Sequence, residues 1–493
     1  MNNKILLSGI ASALLMTTSL SATSLDDKIQ KLEDTIKAQQ VQINELISTA
    51  EDVEDIDERL EIVETRSFTD KIKLGLGMRV EMNNYSNTYA GKDANGKDSY
   101  DANEIYRTKL NINMKSKISD DLKFTGRLAM YKNWGDSTPR NYNMDSMQGR
   151  KPDGSAVYVE RAYLDWIMNP KSTVPMTLTL GRQPSSDGPS YQIKENMTRK
   201  GTYDALAADG AADGIVVTAN LNKVLSGTTF RVAYGTPNVL DNEAYSNEQM
   251  NYNGNDSSDY KSTKVTGLFL EHTHNAFSFG NLFQAYYMDA KDMNANPQLL
   301  DINQTSQTFM QSTDENVGDL SIAGFMLEAN KIGGNLDLFA HYAKSTAKPN
   351  GQTVDLDGAN SGNGQDTIGL LTSTAGDTST KTGQAIWLGA RYAIGKSYKI
   401  GAEYNKGSQN WFSFTSGAND PLNKLATRGD AVELYVTRVI NKNANIRLGY
   451  VDINYNYTGS GSHLGTPVAI TSALGNGAIK ETKNTYITFN VLF

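Results

Sequence analysis

The sequence contains no cysteine among its 493 residues. This absence excludes a disulfide framework, a thiolate metal site and an anchor attached through a lipid-modified cysteine. Histidine is nearly as scarce, with four residues, so few side chains can serve as a general base or a metal ligand near neutral pH. We therefore predict no catalytic site, no metal site and no cofactor.

Long apolar runs are missing after the first part of the chain, where a membrane-spanning helix would need about 20 consecutive apolar residues. Only 39% of the residues are hydrophobic, and the net charge is −8. Strongly basic runs are absent beyond short patches, so a nucleic-acid partner is not expected. These absences exclude a helical membrane protein and a nucleic-acid-binding module.

The N-terminus has the composition of an export signal. Lys4 precedes an apolar stretch, Ile5–Met16, and the small residues Ser21 and Ala22 follow it. This order of charge, apolar core and small residues predicts a secretory signal peptide over residues 1–22. A short buried helix is the alternative, but the polar segment that follows disfavours it.

A heptad pattern follows over residues 23–67, with apolar residues spaced alternately three and four apart and neither glycine nor proline between them. This spacing predicts a coiled coil, and a three-residue stammer after Val53 would overwind it locally. Gln39 at a core position is expected to influence register or strand number. The alternative is a single amphipathic helix lying on another protein surface.

The period of the apolar residues changes to two at Phe68 and stays there to the end of the chain. On the first such segment one face is apolar and the other is polar or glycine, which is the pattern of a β-strand. The apolar face consists of Ile72, Leu74, Leu76, Met78, Val80 and Met82.

About sixteen such segments follow one another, and many have ten or more residues. Strands of a soluble sandwich average five or six residues, whereas tilted membrane strands need about ten. Short turns alternate with long polar loops, as in bacterial outer-membrane barrels. The predicted fold class is therefore all-β, a transmembrane antiparallel up-and-down β-barrel of about sixteen strands over residues 68–493.

The last strand resembles the C-terminal signal that the barrel insertion machinery reads in outer-membrane barrels. Ile487, Phe489, Val491 and Phe493 lie on one face of this strand, which ends at an aromatic residue. The resemblance implies that the insertion machinery and outer-membrane lipids are partners. Together with the export signal, it predicts that the barrel lies in the outer membrane and the coil in the periplasm.

Two internal phrases, Glu160–Asp165 and Leu180–Pro184, resemble Gram-negative porins, and the diffuse pattern of the family extends over residues 70–493. The resemblance implies a homotrimer of water-filled pores for passive diffusion of ions and small hydrophilic solutes. It also implies that the third external loop, Pro184–Ala212, folds inward to narrow the lumen. A loop that merely caps the mouth is the alternative.

Charged residues occupy the polar faces of the first four strands and the third loop. A mostly basic wall favours anions, so we predict a mild anion preference, although charges that simply keep the lumen wet would give the same pattern. The predicted lumen residues are Arg79, Glu81, Arg107, Lys109, Arg127, Arg161 and Asp165. The predicted constriction residues are Asp187, Lys194, Glu195, Arg199, Lys200 and Asp204.

The sequence gives weaker support to other functional classes. A barrel enzyme would need a nucleophile beside a base, and His341 has no serine and acid in phase on its own strand. A substrate-specific channel, or a plugged barrel that acts as an envelope tether or adhesin, remains as the alternative function. The coil would extend about 60 Å at roughly 1.5 Å per residue, so peptidoglycan is a further candidate partner.

One irregularity concerns the strand near residue 450. Ile446, Leu448 and Tyr450 are apolar at even positions, whereas Val451 and Ile453 are apolar at odd ones. A change of apolar face within one strand predicts a β-bulge at this point, and the alternative is that the segment is not a single strand.

Overall fold

The chain divides into two units, Met1–Lys71 and Ile72–Phe493. A computed structural model describes residues 27, 29–45, 47, 71–92, 95–135, 157–183, 187–210, 212–237, 263–274, 281–295, 316–355, 367–415, 420–471 and 478–492.

In the first unit, residues 29–45 form an α-helix. The apolar side chains of Ile29, Leu32 and Ile36 are 48%, 61% and 59% exposed. The predicted coiled-coil partner stays a prediction. The predicted signal peptide and the stammer after Val53 lie outside the described residues. None of the described helices is both long and apolar enough to cross a membrane.

The second unit is a closed β-barrel in which sixteen strands pair with their neighbours in antiparallel order, and β1 pairs with β20 to close it. The predicted fold class is therefore confirmed. In chain order the strands are β1 (Ile72–Tyr89), β2 (Ser99–Lys117), β3 (Leu122–Asn133), β4 (Tyr158–Ile167), β5 (Met176–Arg182), β6 (Ala208–Asp209), β7 (Asp213–Asn220), β8 (Thr228–Thr236), β9 (Lys264–His274), β10 (Asn281–Asn294), β11 (Asn316–Ile332), β12 (Leu336–Pro349), β13 (Val354–Asp355), β14 (Thr367–Ile368), β15 (Lys381–Ile394), β16 (Tyr398–Gly407), β17 (Phe414–Thr415), β18 (Gly429–Asn441), β19 (Ala444–Tyr455) and β20 (Ile479–Leu492).

Four of these strands stand outside the barrel wall. The short strand β6 pairs in parallel with β17, and β13 pairs with β14. All four lie in long loops, and the sequence did not predict them because a two-residue strand carries no alternation.

Short turns and long loops lie at opposite ends of the barrel. One end, which we call the short-turn end, carries tight connections such as the one between β11 and β12, together with the start of β1 and the end of β20. Gly333 and Gly334 in that connection have φ angles of +58° and +89°. Because side chains disfavour this left-handed region, glycine is the residue that permits the tight reversal.

The apolar face of each strand points outward. Leu74, Leu327 and Leu448 are 69%, 51% and 51% exposed. Every barrel strand also pairs on both edges, so the backbone hydrogen bonds of the wall are satisfied internally. An apolar outer belt over a fully paired backbone is what a hydrocarbon environment requires.

The predicted β-bulge near Tyr450 is wrong. β19 keeps an unbroken register with β20 from Ala444 to Asn454. The apolar face changes because Val451 and Ile453 point inward and are buried in a cluster that includes Tyr486. Apolar residues are favourable on the inward face here because protein, rather than water, covers them.

The barrel interior has two different sides. Inward residues of β1–β4 are mainly charged, whereas those of β9–β15 include Phe269, Phe339 and Trp387, which pack against loop residues inside the barrel. Gly389 lies beneath the Phe339 ring, where an added Cβ would approach ring carbon at 2.1 Å. The expectation of a polar inner wall therefore holds for one side, and a packed core occupies the other.

Candidate functional site

Residues 187–210, which we call the inserted segment, run inside the barrel. Asp187 contacts β3 and β4, Lys194 contacts β18, and Arg199 contacts β9. These strands lie on different sides of a closed wall, so only a chain within the lumen can reach all of them. The segment contains one short helix, Tyr191–Glu195.

At its start, the inserted segment is held by a buried charge cluster. Arg127 and Arg161 donate hydrogen bonds to the same oxygen, Oδ2 of Asp187, at 2.7 and 3.0 Å. Burial by itself would raise the pKa of Asp187, but Arg127 and the other nearby cations hold it well below the ordinary value. Arg161 also donates to the carbonyl oxygen of Lys200 at 3.0 Å. These contacts attach the residues before and after the short helix, Asp187 and Lys200, to the wall at β3 and β4.

The short helix is held on the other side by three carboxylate–cation contacts. Lys194 Nζ lies 2.9 Å from Glu433 on β18, and Glu195 Oε1 lies 3.0 Å from Arg447 on β19. Glu195 also contacts Arg79 on β1. All of these side chains are largely excluded from solvent, so the pairs are screened much less than surface pairs are.

A second loop joins this cluster through Lys424, which lies between β17 and β18. Its ammonium contacts Glu433 and lies 2.6 Å from Glu403. Arg428 next to it donates to three backbone carbonyls, those of Trp411, Thr458 and Ser462. The second loop is therefore fixed inside the barrel by the same carboxylate, Glu433, that holds the inserted segment.

Further along, Arg199 lies 2.8 Å from Glu271, which also pairs with Arg231 at 3.3 Å. Gln284 donates to the carbonyl oxygen of Thr202 at 2.7 Å. These contacts attach the second half of the inserted segment to β9 and β10, and Arg231 of β8 supports Glu271 from the side.

A serine and an aspartate of the inserted segment meet a histidine of the barrel wall. His341 Nε2 lies 3.0 Å from Ser190 Oγ, and His341 Nδ1 lies 2.7 Å from Asp204 Oδ1. The sequence-based statement concerned partners in phase on the strand of His341 itself, and the structure supplies both partners from elsewhere in the chain. Both partners come from the inserted segment, so strand phase alone gave no signal for them.

This arrangement fixes the inserted segment to the wall. The hydroxyl of Ser190 lies within hydrogen-bond distance of both the Glu328 carboxylate and His341 Nε2, and it has a single proton to donate. A serine nucleophile gives its proton to the histidine, so the Glu328 carboxylate competes with His341 for the proton of Ser190. Ser190 is also fully buried, at 0% exposure, which leaves no approach for a substrate carbonyl.

The predicted lumen residues lie inside the barrel, and most are engaged in contacts. Arg107 pairs with Glu81, and Thr179 donates to Asp165 at 2.5 Å. Lys109 lies over the ring of Tyr131 at 5.0 Å from its centroid. The predicted constriction residues, Asp187, Lys194, Glu195, Arg199, Lys200 and Asp204, all lie in the inserted segment. Whether they set the pore size stays a prediction.

Three of the four predicted C-terminal signal residues, Ile487, Phe489 and Val491, lie on β20. Ile487 and Phe489 are each 41% exposed, and Val491 pairs with Met78 and Ala444. Phe493 lies outside the described residues.

The sequence analysis did not identify the site residues on β18 and β19 or several of those in the loops. Glu433 and Arg447 occupy inward positions of β18 and β19, and the alternation of those strands would have identified them. Lys424, Ser190 and Asp204 lie in loops, where no periodicity indicates which way a side chain points.

Comparison with known proteins gives one family match and several structural likenesses. A family profile described as "Protein of unknown function (DUF3373)" matches residues 99–493. The chain matches no curated protein.

Among solved structures, Salmonella typhi OmpF in complex with daunomycin is 14% identical, with 86% of this chain and 98% of that chain covered and a TM-score of 0.44. Pseudomonas putida OprB at high pH is 10% identical, with 87% and 96% covered and a TM-score of 0.46. In-vitro folded Vibrio cholerae OmpT is 12% identical, with 86% and 97% covered and a TM-score of 0.42.

Proposed function

We propose that this chain, which belongs to the family described as "Protein of unknown function (DUF3373)", is a porin-type outer-membrane channel for passive diffusion of ions and small hydrophilic solutes. The observation that carries the proposal is the inserted segment, a charged stretch of chain bonded across the interior of a closed barrel. A barrel with such a segment has a narrowed path lined by ionised groups, which is how channels select among small solutes.

The outer-membrane location is supported by the outward apolar face and by closure of the wall. Only a helix or a closed barrel satisfies its backbone groups in hydrocarbon, and this chain has the barrel. Exposed aromatic residues, including Trp134 at 55% and Trp166 at 45%, fit the girdles that outer-membrane barrels carry at the lipid–water boundaries.

A mild anion preference is the finer part of the proposal. Arg79, Lys109 and Lys200 line a polar cavity of about 440 Å³ that also receives Lys399 and Lys442. Basic groups near a narrow, low-dielectric path raise the local concentration of anions. The competing function is a plugged barrel serving as a tether or adhesin, which the packed side of the interior favours.

Single-channel recording in planar bilayers tests the function. We expect the folded protein to give stepwise currents that scale with salt concentration, because an open lumen conducts through its water. In a potassium chloride gradient the reversal potential should shift toward the chloride equilibrium value. Cation selectivity would refute the anion preference, and silence from correctly folded protein would favour the plugged barrel.

We also propose a homotrimer whose assembly depends on the N-terminal coil. Deletion of residues 25–66 should lower the yield of trimer on native gels, because three paired helices would otherwise hold the barrels together. The deletion should leave the heat-induced mobility shift of the barrel unchanged. An undiminished trimer from the deleted protein would contradict the assembly role and leave attachment to peptidoglycan as the function of the coil.

A further inference from the structure

The cavity at the short-turn end, which we call the basal cavity, lies directly beneath the inserted segment. It is closed above by Glu195–Thr198 and Lys200, and bounded below by the turn 441–444 and the end of β20. Its volume of about 440 Å³ falls within the range of small-molecule sites. Six of its lining residues are basic and two are acidic: Arg79, Lys109, Lys200, Arg391, Lys399 and Lys442 against Asp187 and Glu195.

The two acidic residues of the basal cavity are already neutralised. Asp187 pairs with Arg127 and Arg161, neither of which lines the cavity. Glu195 pairs with Arg79 and Arg447. Each carboxylate therefore already has two arginine partners at ion-pair distance.

Three lysines of the basal cavity form no ion pair within 4 Å to any carboxylate that the structure describes: Lys200, Lys399 and Lys442. Arg391, by contrast, pairs with Asp337 at 2.6 Å. The ammonium of Lys399 donates to the side-chain oxygen of Asn196, which is a neutral acceptor. Burial, followed by repulsion from Arg127, lowers the pKa of Lys200 to about 8. Among the described residues, the basal cavity thus holds three lysines that have no carboxylate within ion-pair distance.

We infer that the basal cavity is a binding site for a small polyvalent oxyanion, such as an inorganic divalent anion or a polycarboxylate. An ammonium group binds such an anion as a point charge with three donors, and several of them converge here. Lining amides, including Asn111 and Asn490, supply further donors. This inference deepens the proposed channel function, because the site would hold anions on the lumen path.

Isothermal titration calorimetry of the full exported chain in detergent, with sulfate as the probe, tests the site. We expect saturable binding at pH 7 to the wild type and about tenfold weaker binding to Lys399→Gln, since hydrogen bonds to charged groups are among the stronger ones. Lys406→Gln is the matched control because Lys406 lies on the same strand, β16, but is exposed and is not part of the cavity. Equal loss in both variants, or no sulfate binding to the wild type, would overturn the inference.

Two competition experiments, one with citrate and one with chloride, identify the chemical class of the ligand. Citrate should compete with sulfate if polycarboxylates fit, whereas chloride at the same ionic strength should compete weakly because it has a single charge. Competition by chloride as strong as that by sulfate would overturn a polyvalent site and leave only general screening.

A pH series adds a readout that a purely structural role of the lysines would not give. Lys200 faces Arg127, Arg161, Lys109 and Asp187, and its charge is present below its pKa of about 8 and lost above it. Sulfate keeps its charge in this range, so its affinity should fall between pH 7 and pH 9 in the wild type. In Lys200→Gln that dependence should disappear, and a dependence that survives unchanged would contradict the role of Lys200.

The calorimetric experiment tests the anion site and the electrical experiment tests the channel function, so either claim can be refuted without the other. A barrel that conducts but does not bind sulfate loses the anion site and keeps the channel function. A barrel that binds sulfate through Lys399 but stays silent in bilayers keeps the site and loses the channel function.

Discussion

Replacement of Asp187 by asparagine is expected to release the inserted segment and increase single-channel conductance. The change conserves shape but removes the carboxylate that the buried guanidinium groups of Arg127 and Arg161 share, and leaves them Glu160, which lies 3.5 Å from Arg127. Removing one partner of a buried ion pair costs about 3 to 5 kcal/mol. A cost of this size is enough to populate conformations in which the segment leaves the wall.

Two measurements check this expectation. Conductance should rise because the lumen widens, and trypsin should cleave after Arg199 or Lys200, which are protected while the segment is docked. Asp213→Asn is the matched control, because Asp213 pairs with Arg182 at 3.1 Å but its side chain is 59% exposed. Exposed pairs contribute about 0 to 1 kcal/mol, so the control should resemble the wild type. Identical conductance and trypsin resistance in Asp187→Asn would show that this carboxylate does not hold the segment.

Glu433→Gln is expected to loosen the inserted segment and the second loop together. Glu433 accepts from Lys194 at 2.9 Å and from Tyr486 at 2.5 Å, and it also contacts Lys424. Without its charge, Lys194 keeps no carboxylate partner among the contacts described, while Lys424 keeps Glu403. The expected cost is again about 3 to 5 kcal/mol, because a buried ammonium loses its counter-charge.

The readouts are the temperature of the heat-induced gel shift, which should fall, and trypsin cleavage after both Lys194 and Lys424. Glu481→Gln serves as the control, since Glu481 pairs with Lys483 at 2.8 Å and both side chains are partly exposed, at 24% and 41%. Cleavage in only one of the two loops would contradict a shared anchor. A gel shift as stable as that of the control would show that the remaining contacts suffice.

The carboxylates Asp187 and Glu433 differ in how much of their role could be predicted from the sequence. Asp187 was predicted as a constriction residue from its position in the third loop, but its partners Arg127 and Arg161 were predicted only as members of a basic wall. Glu433 was not predicted at all, although it occupies an inward position of β18. The alternation of polar and apolar residues along a strand predicts which face of the wall a residue occupies. It does not predict which loop residue will contact that residue inside the barrel.

The histidine contact makes the same point in another way. The strand pattern placed His341 on β12, and the absence of suitable neighbours on that strand argued against any partner. Ser190 and Asp204 approach it from a loop that is distant in sequence, so no local pattern could indicate them. Glu328 of β11, which also contacts the Ser190 hydroxyl, is likewise distant from Ser190 in sequence.

The sequence by itself determined the closed antiparallel barrel, its sixteen strands, the outward apolar face and the position of the long loops. Those features follow from a period of two and from turn composition, and both are local properties of the chain. Only the tertiary structure decided that the third loop lies bonded across the interior, that one side of the lumen is packed and that Lys200, Lys399 and Lys442 of the basal cavity form no ion pair with a described carboxylate. These features depend on charge pairs and apolar contacts between residues far apart in sequence, and such contacts exist only once the barrel has closed around the loop.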